Sequence, residues 1–468
     1  MEEYEESPFS NEDQTNLIGR FERMIQEGDA AFYEVDDLEY LLDHYLSQHR
    51  LDLATRVIET AKSQYPHNKQ LSIREAELLS MTDKHSEALA LLSEIENLEN
   101  FNPDFHITRA NILSQTGSYH KAIQSLHRAL EFVNEDLDMI YMNLAIEHQN
   151  LEQYHQAIEY LKKALKLNPD NEDALYELAY CYELTQEYES SVELFDQLID
   201  ETPYNAHAWF NLGASYQALE NYEKALFAFD YTILIDESFH AAYFNKANIL
   251  VKLERFHEAI ELYKKALSFE ILDSLIYYYI GDCYDNLEEH KKALVYFEKA
   301  IKKDDTLAEA WVGASNSLDF LEREVEALEY AKKAVEIDDS NGDYWCYLGS
   351  LQQKYDLPDD SIISFEKAID LGYIEEDLWE EYSELCLKLK MNVIAESAIE
   401  RGLEHFPNNL LLQLYQVIIM YRNKKEDKAF DQLVNILIQD PTLIEEFLVH
   451  YPKGVEIEKI QFLIESLK

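Results

Sequence analysis

The stretch from Ala206 to Phe239, AHAWFNLGASYQALENYEKALFAFDYTILIDESF, decides the fold of this chain. It contains two segments of similar length separated by a short polar turn, and in each segment apolar and small residues recur three or four positions apart. Residues at that spacing share one face of an α-helix. They are Trp209, Leu212, Gly213 and Tyr216 in the first segment, and Ala225, Phe229 and Thr232 in the second. The stretch therefore predicts a helix–turn–helix unit of 34 residues.

The same unit can be laid end to end twelve times along the chain. The units begin at Val35, Lys69, Pro103, Asp138, Glu172, Ala206, His240, Ser274, Ala308, Gly342, Glu376 and Leu410. The third unit has one additional residue, and every other start lies 34 residues from the next. The twentieth position of all twelve units is alanine or serine, namely Ala54, Ala88, Ala122, Ala157, Ser191, Ala225, Ala259, Ala293, Ala327, Ser361, Ala395 and Ala429. Small side chains at one fixed position predict a close approach of the two helices of each unit.

A period of 34 residues with this placement of large and small side chains is the signature of tetratricopeptide repeats. The chain resembles that family over residues 35–443. The resemblance implies an all-α fold, a right-handed α-solenoid (superhelix) of about twelve helix–turn–helix repeats with capping helices, about 26 helices in total. We accordingly expect an acidic disordered tail at residues 1–12, an N-terminal capping helix at 13–34, the repeats at 35–443 and a C-terminal capping helix at 444–468.

The turn between the two helices of each unit departs from the family pattern. The family usually has glycine there, and only Gly117 fits. The equivalent residue in five other units is Glu152, Glu220, Glu254, Glu288 or Glu322. Because a positive φ costs a residue with a side chain about 1 kcal/mol, we expect these turns to stay in the right-handed region.

Charge limits the partners that this chain can have. It has 92 acidic and 40 basic side chains, a formal net charge of −52. Binding to nucleic acid phosphates depends on clustered Lys and Arg, so nucleic acid and membrane partners are not expected, whereas basic peptides are attracted. The four cysteines are far apart, and no apolar run is long enough to span a membrane. The acidic N-terminus lacks the apolar core of a signal peptide, so we expect a cytoplasmic protein.

No sequence motif of enzyme chemistry is present. The chain lacks a glycine-rich phosphate loop, HExxH, GxSxG and a calcium loop of EF-hand spacing. We therefore predict a protein that is not an enzyme, with no cofactor, no metal and no small-molecule substrate. Its function is expected to reside in its surface.

The family resemblance implies that the first helix of each repeat lines a concave groove, with positions two, five, six, nine and twelve facing into it. Amides at positions six and nine offer both a donor and an acceptor to the backbone of an extended peptide. The predicted peptide-binding amides are Asn111, Asn143, Asn211, Asn245 and Asn248. Their arrangement is similar to the asparagine ladder of the repeat superhelix in O-linked N-acetylglucosamine transferase. Asparagine as ordinary polar filler of a wet helix face is the alternative interpretation.

Aromatic and acidic side chains complete the predicted site. Rings beside carboxylates attract Arg and Lys through cation–π and charge interactions together. These residues are Tyr176, Glu177, Tyr180, Phe210, Phe244, Tyr278 and Asp282, and their density predicts a site between the fourth and eighth repeats.

Three functions remain open on the sequence alone. The first is a scaffold or adaptor that holds an extended, basic protein segment in the acidic groove. The second is a regulatory subunit or assembly factor that docks through its convex face or its terminal helices. The third is an acidic mimic of nucleic acid.

Overall fold

The computed structural model describes residues 11–28, 31–133, 137–269 and 273–467. Residues 1–10 of the predicted tail at residues 1–12 lie outside these described ranges. The chain divides into two compact units, which we call unit 1, up to Glu237, and unit 2, from Ser238 onward. Each is described separately.

The described residues of unit 1 form thirteen helices. They are α1 (Asn11–Glu27), α2 (Val35–Ser47), α3 (Leu51–Gln64), α4 (Lys69–Met81), α5 (His85–Glu99), α6 (Pro103–Gln115), α7 (Tyr119–Leu130), α8 (Leu137–Asn150), α9 (Tyr154–Leu167), α10 (Glu172–Thr185), α11 (Tyr188–Glu201), α12 (Ala206–Ala218) and α13 (Tyr222–Ile235). The predicted N-terminal helix is α1, which ends before Gly28 at φ 72°. Its Phe21 is fully buried, with Tyr33 5.6 Å away between ring centroids.

In unit 2, the residues that the structure describes form fourteen α-helices and one 3-10 helix at Pro452–Glu456. The α-helices are α14 (His240–Lys252), α15 (Phe256–Leu267), α16 (Asp273–Asn286), α17 (His290–Lys303), α18 (Ala308–Phe320), α19 (Glu324–Ile337), α20 (Gly342–Lys354), α21 (Pro358–Asp370), α22 (Glu376–Lys388), α23 (Asn392–His405), α24 (Leu410–Arg422), α25 (Glu426–Gln439), α26 (Leu443–His450) and α27 (Glu458–Leu467). The C-terminal segment thus has two α-helices where one was predicted, because Pro452 interrupts the helical hydrogen bonding.

The prediction of an all-α solenoid of helix pairs is confirmed. In the described residues every regular element is helical, and consecutive helices pack against each other within each unit. All twelve small residues at the twentieth position are at most 1 % exposed, as close helix packing requires. None of the described helices is long and apolar enough to cross a membrane.

The expectation for the inter-helix turns is wrong. The turn residue has a positive φ in all twelve repeats. These residues are His49, Asp83, Gly117, Glu152, Gln186, Glu220, Glu254, Glu288, Glu322, Asp356, Lys390 and Lys424. At Glu288, φ is 58°, its N–H donates to Asp285 O at 2.8 Å, and the Glu289 N–H donates to Tyr284 O at 2.9 Å. These two hydrogen bonds form a Schellman motif at the C-terminus of the helix, which requires a residue in the left-handed backbone conformation. Two hydrogen bonds of about 1 kcal/mol each offset the cost of the strained backbone.

Replacing Glu288 with glycine is therefore expected to leave the free energy of unfolding unchanged or to raise it by up to about 1 kcal/mol. The matched change Glu298→Gly lies within α17, at an exposed site, and is expected to lower it by about 1 kcal/mol. Both changes remove one negative charge, so denaturant unfolding of the two variants isolates the backbone effect. Equal losses would contradict a left-handed turn at Glu288.

Candidate functional site

The first helices of consecutive repeats contact each other and form a continuous wall over parts of each unit. In unit 1 the contacts join α4 to α6 and α10 to α12; in unit 2 they join α16 to α18, α20 to α22 and α22 to α24. We call this surface the first-helix wall of each unit. All of the residues that the sequence predicted to bind a peptide lie on first helices of repeats, from α6 to α16.

Side-chain hydrogen bonds link neighbouring helices of the wall in unit 1. The pairs are Ser80 Oγ donating to Gln115 Oε1 at 2.5 Å, Gln149 Nε2 donating to Glu177 Oε2 at 2.8 Å, and Asn211 Nδ2 donating to the Leu175 carbonyl at 3.3 Å. Many polar residues of the first helices thus stabilise the junctions between repeats. Such bonds hold the wall in one geometry.

The predicted amides do not form an open ladder. Asn211 is only 8 % exposed, and its Nδ2 is engaged by Leu175. Asn248 is half-buried and accepts a 2.5 Å hydrogen bond from the Tyr263 hydroxyl. Asn143 and Asn245 are also half-buried, and Asn111 is exposed. Packing between helices thus uses Asn211 and Asn248, and peptide binding by the five amides stays a prediction.

Three of the predicted rings are likewise half-buried. In each case a residue at position five packs on the ring at position twenty-four of the same repeat. The centroid distances are 5.6 Å for Phe210 and Phe229, 5.8 Å for Phe244 and Tyr263, and 5.8 Å for Tyr278 and Phe297. Burial raises the pKa of Tyr278 to about 12. Part of the surface of each of these three rings is therefore buried in the core, and their role in peptide binding stays a prediction.

Tyr176 and Tyr180 of α10 differ from the other rings. Tyr176 is 69 % exposed and Tyr180 is 44 % exposed. They are four residues apart and therefore lie on one side of the helix. Glu177 lies beside them, half-buried and held by Gln149 from α8. Among the predicted site residues, these three bring exposed rings and a carboxylate together.

Asp282 of unit 2 lies at a second acidic position. It lines a cavity of about 600 Å³ together with Asp285, Glu288, His290 and Phe320. Burial, and then the charge of Asp285, raise the pKa of the Asp282 carboxyl. Asp285 itself is held by Asn316, Ser317 and His290 at 2.8, 3.2 and 2.8 Å. Its carboxylate is thus occupied by three internal donors.

An acidic cavity in the second and third repeats was not predicted from the sequence. It encloses about 430 Å³, and Arg74, Glu77, Asp104 and Asn111 are among its lining residues. Arg74 pairs with Asp43 and with Glu77. Burial is the largest cause of the raised pKa of Glu77, and the charges of Asp43 and Asp104 add to it although Arg74 opposes them. The sequence did contain a signal for this cavity, namely the acids at position nine of the second repeat and position two of the third, Glu77 and Asp104.

One side-chain group in the described residues has the geometry to hold a metal ion: Glu384, Glu446 and His450. His450 Nε2 lies 2.8 Å from Glu446 Oε1 and 3.7 Å from Glu384 Oε1, and Lys388 pairs with Glu384 at 2.5 Å. The hydrogen bond with His450 is the largest cause of the lowering of the Glu384 pKa to about 2. These groups already compensate one another, so the cluster is explained as a link between α22 and α26.

Stacked helix pairs with open, polar surfaces define the class of helical-repeat scaffolds for protein–protein interaction. Tetratricopeptide repeat models match residues 142–206, 206–232, 240–270 and 274–307. Residues 142–307 of the chain therefore contain tetratricopeptide repeats. A search of curated proteins gives no match.

Solved structures similar to this chain include other repeat proteins. The APC/C hetero-tetramer Cut9–Hcn1 has 13 % identity and a TM-score of 0.42, over 85 % of this chain and 98 % of that chain. YrrB, a TPR protein with an unusual peptide-binding site, has 25 % identity and a TM-score of 0.34, over 38 % and 93 %. A tetratricopeptide repeat protein from Parabacteroides merdae has 14 % identity and a TM-score of 0.40, over 53 % and 98 %.

Proposed function

We propose that this protein is a non-enzymatic interaction scaffold that holds an extended, basic protein segment against the first-helix wall of unit 1. The exposed pair Tyr176 and Tyr180, with Glu177 between them, carries the proposal. An Arg or Lys side chain over an exposed ring gains about 0.5–1 kcal/mol, and a nearby carboxylate adds to the attraction. The hydrogen bond from Gln149 holds Glu177 in place before a ligand arrives.

The acidic cavity between α4 and α6 supports the same ligand chemistry. Its carboxylates outnumber its one arginine, and crowding of acids contributes to the raised pKa of Glu77. A second cation placed there would relieve that crowding. Asn111, exposed at the cavity wall, offers a donor and an acceptor to a peptide backbone. Basic residues of one extended segment would therefore be favoured at this cavity as well as at α10.

The test compares two double variants. One carries Tyr176→Ala and Tyr180→Ala, and the control carries Tyr204→Ala and Phe227→Ala. The control residues are 85 % and 57 % exposed and lie in the α11–α12 turn and on α13. The probe is a fluorescein-labelled ten-residue peptide of alternating arginine and serine, measured by anisotropy. Loss of two cation–π contacts of about 0.5–1 kcal/mol each predicts roughly 5- to 30-fold weaker binding for the first pair only. Equal peptide affinity of the two double variants and the wild type would contradict the proposal.

A second candidate function is a regulatory subunit or assembly factor that docks through its second helices. The observation that favours it is an apolar patch on α13, where Phe227 and Leu234 are 57 % and 76 % exposed. Tyr231 of the same helix stacks on Trp209 at 4.6 Å and contacts Phe227 at 4.8 Å. Binding there would resist salt, whereas binding of a basic segment near Glu177 would weaken as salt is added.

A further inference from the structure

A cavity in unit 2 has the opposite charge from the rest of the chain. It encloses about 920 Å³ where the ends of α22, α24 and α26 meet. Its charged lining residues are Lys388, Lys390, Arg422, Lys424, Lys453 and Glu426. Five of these are Lys or Arg and one is Glu, in a chain with 40 basic and 92 acidic side chains. The general acidity of the surface does not explain this cavity.

Arg422 is the central cation of the cavity. It is half-buried, and its guanidinium donates to the Leu387 carbonyl at 3.1 Å, to Asn392 Oδ1 at 2.8 Å and to the His450 carbonyl at 3.0 Å. All three acceptors are neutral, and burial lowers the pKa of Arg422. A partly desolvated guanidinium that has no carboxylate partner among the described residues is a favourable position for a ligand anion.

The surrounding lysines add positive charge that the described residues leave uncompensated. Lys388 is paired with Glu384 at 2.5 Å. Lys390, Lys424 and Lys453 are exposed, and in the described ranges none has a carboxylate within 4.0 Å. Lys390 and Lys424 occupy the left-handed turn position at which most preceding repeats carry an acid. The sign of the charge thus changes at a fixed structural position in the last two repeats.

Apolar surface accompanies these cations. Val449 is 65 % exposed, and Tyr451 stacks on Tyr421 with centroids 5.3 Å apart. Tyr421 is 3 % exposed, and its hydroxyl has no hydrogen-bond partner among the described residues. Pro452 continues this apolar side of the cavity. A compact phosphate would neutralise the cations but leave the apolar side exposed to water.

We propose that this cavity binds an acidic segment of a partner protein in which carboxylates alternate with apolar side chains. The carboxylates would pair with Arg422 and with Lys390, Lys424 and Lys453, and the apolar side chains would cover Val449 and Tyr451. This site goes beyond the proposed function, because it lies in unit 2 and selects the opposite charge. The scaffold would then hold two segments of opposite polarity.

The test uses a fluorescein-labelled peptide of repeated Glu-Leu-Asp-Phe in 0.15 M salt, where the screening length of about 8 Å weakens repulsion by distant acids. The pocket variant is Lys390→Glu, Lys424→Glu and Lys453→Glu. The control is Lys302→Glu, Lys332→Glu and Lys367→Glu, which are exposed on α17, α19 and α21 and change the net charge equally. We expect about tenfold or greater loss of affinity in the pocket variant and less than twofold loss in the control. The milder change of the same three pocket lysines to glutamine serves as a second variant if charge reversal lowers the melting temperature.

Absence of peptide binding to the wild type, or equal losses in the two lysine variants, would overturn the proposal. Binding of inorganic pyrophosphate to the cavity without binding of the peptide would also overturn it, in favour of a phosphate site. The arginine–serine peptide should bind the pocket variant as it binds the wild type. The acidic peptide should bind the Tyr176 and Tyr180 double variant normally, so failure of either proposal can be distinguished from failure of the other.

Discussion

Replacement of Phe297 by alanine is expected to lower the free energy of unfolding of unit 2 by about 3–5 kcal/mol. Phe297 is 2 % exposed and packs on Tyr278. A Cβ atom added at Gly281 would lie 2.7 Å from its ring, and one added at Gly313 would lie 2.5 Å from it. The ring therefore fills the space between a glycine of its own repeat and a glycine of the next repeat. Its removal leaves a cavity at a repeat junction, where each repeat depends on its neighbour.

Denaturant unfolding of the Phe297→Ala variant measures this effect. Phe462→Ala is the control, since the same side chain is 74 % exposed on α27 and should cost less than about 0.5 kcal/mol. Gly313→Ala should cost about 1–3 kcal/mol in the wild type and much less in the Phe297→Ala variant, because the clash partner is then absent. A loss below about 1 kcal/mol for Phe297→Ala would show that the repeats do not close on this ring.

Raising the salt concentration from about 0.02 to 0.3 M is expected to raise the melting temperature. The formal charge of −52 concentrates repulsion in the folded chain, and salt screens that repulsion over about 8 Å at physiological strength. Many of the basic residues pair with an acid three positions away on their own helix, as Arg255 does with Glu258 and Arg323 with Glu326. Such local pairs leave the remaining acids uncompensated. Each kcal/mol gained corresponds to roughly 2–4 °C for a body of 150–250 residues.

Calorimetry in sodium chloride and in potassium chloride tests this expectation. Equal rises in the two salts would indicate general screening, which our account of the acidic surface requires. A melting temperature that is flat or falls between 0.02 and 0.3 M would mean that the acids are locally paired and that the surface is less available to a basic ligand.

The repeat pattern predicted most of the fold because each repeat packs mainly on its neighbours. The small residue at the twentieth position, such as Ala225, records one close helix contact, and all twelve such residues are buried. The turn conformation was not predictable from residue preference, since Glu220 and Glu254 adopt a backbone that glutamate disfavours. There the two hydrogen bonds that end the helix outweigh the local preference.

The candidate sites were harder to predict than the fold. An asparagine on a first helix can face a ligand or the next repeat, and only the three-dimensional packing shows that Asn211 contacts Leu175. A ring at position five has the same ambiguity: Phe210 packs on Phe229, whereas Tyr176 remains exposed. The basic cavity around Arg422 joins residues from three separate helix ends, so no single stretch of sequence contains its signal.

Photo-crosslinking can show whether a basic extended segment lies on the first-helix wall of unit 1. The arginine–serine peptide would carry a photoreactive group at its centre, and mass spectrometry would identify the crosslinked residues. We expect crosslinks on α8 and α10, near Gln149, Tyr176 and Tyr180, that disappear when unlabelled peptide competes. Crosslinks that fall instead on α13 near Phe227, or that are spread evenly over both units, would contradict this expectation.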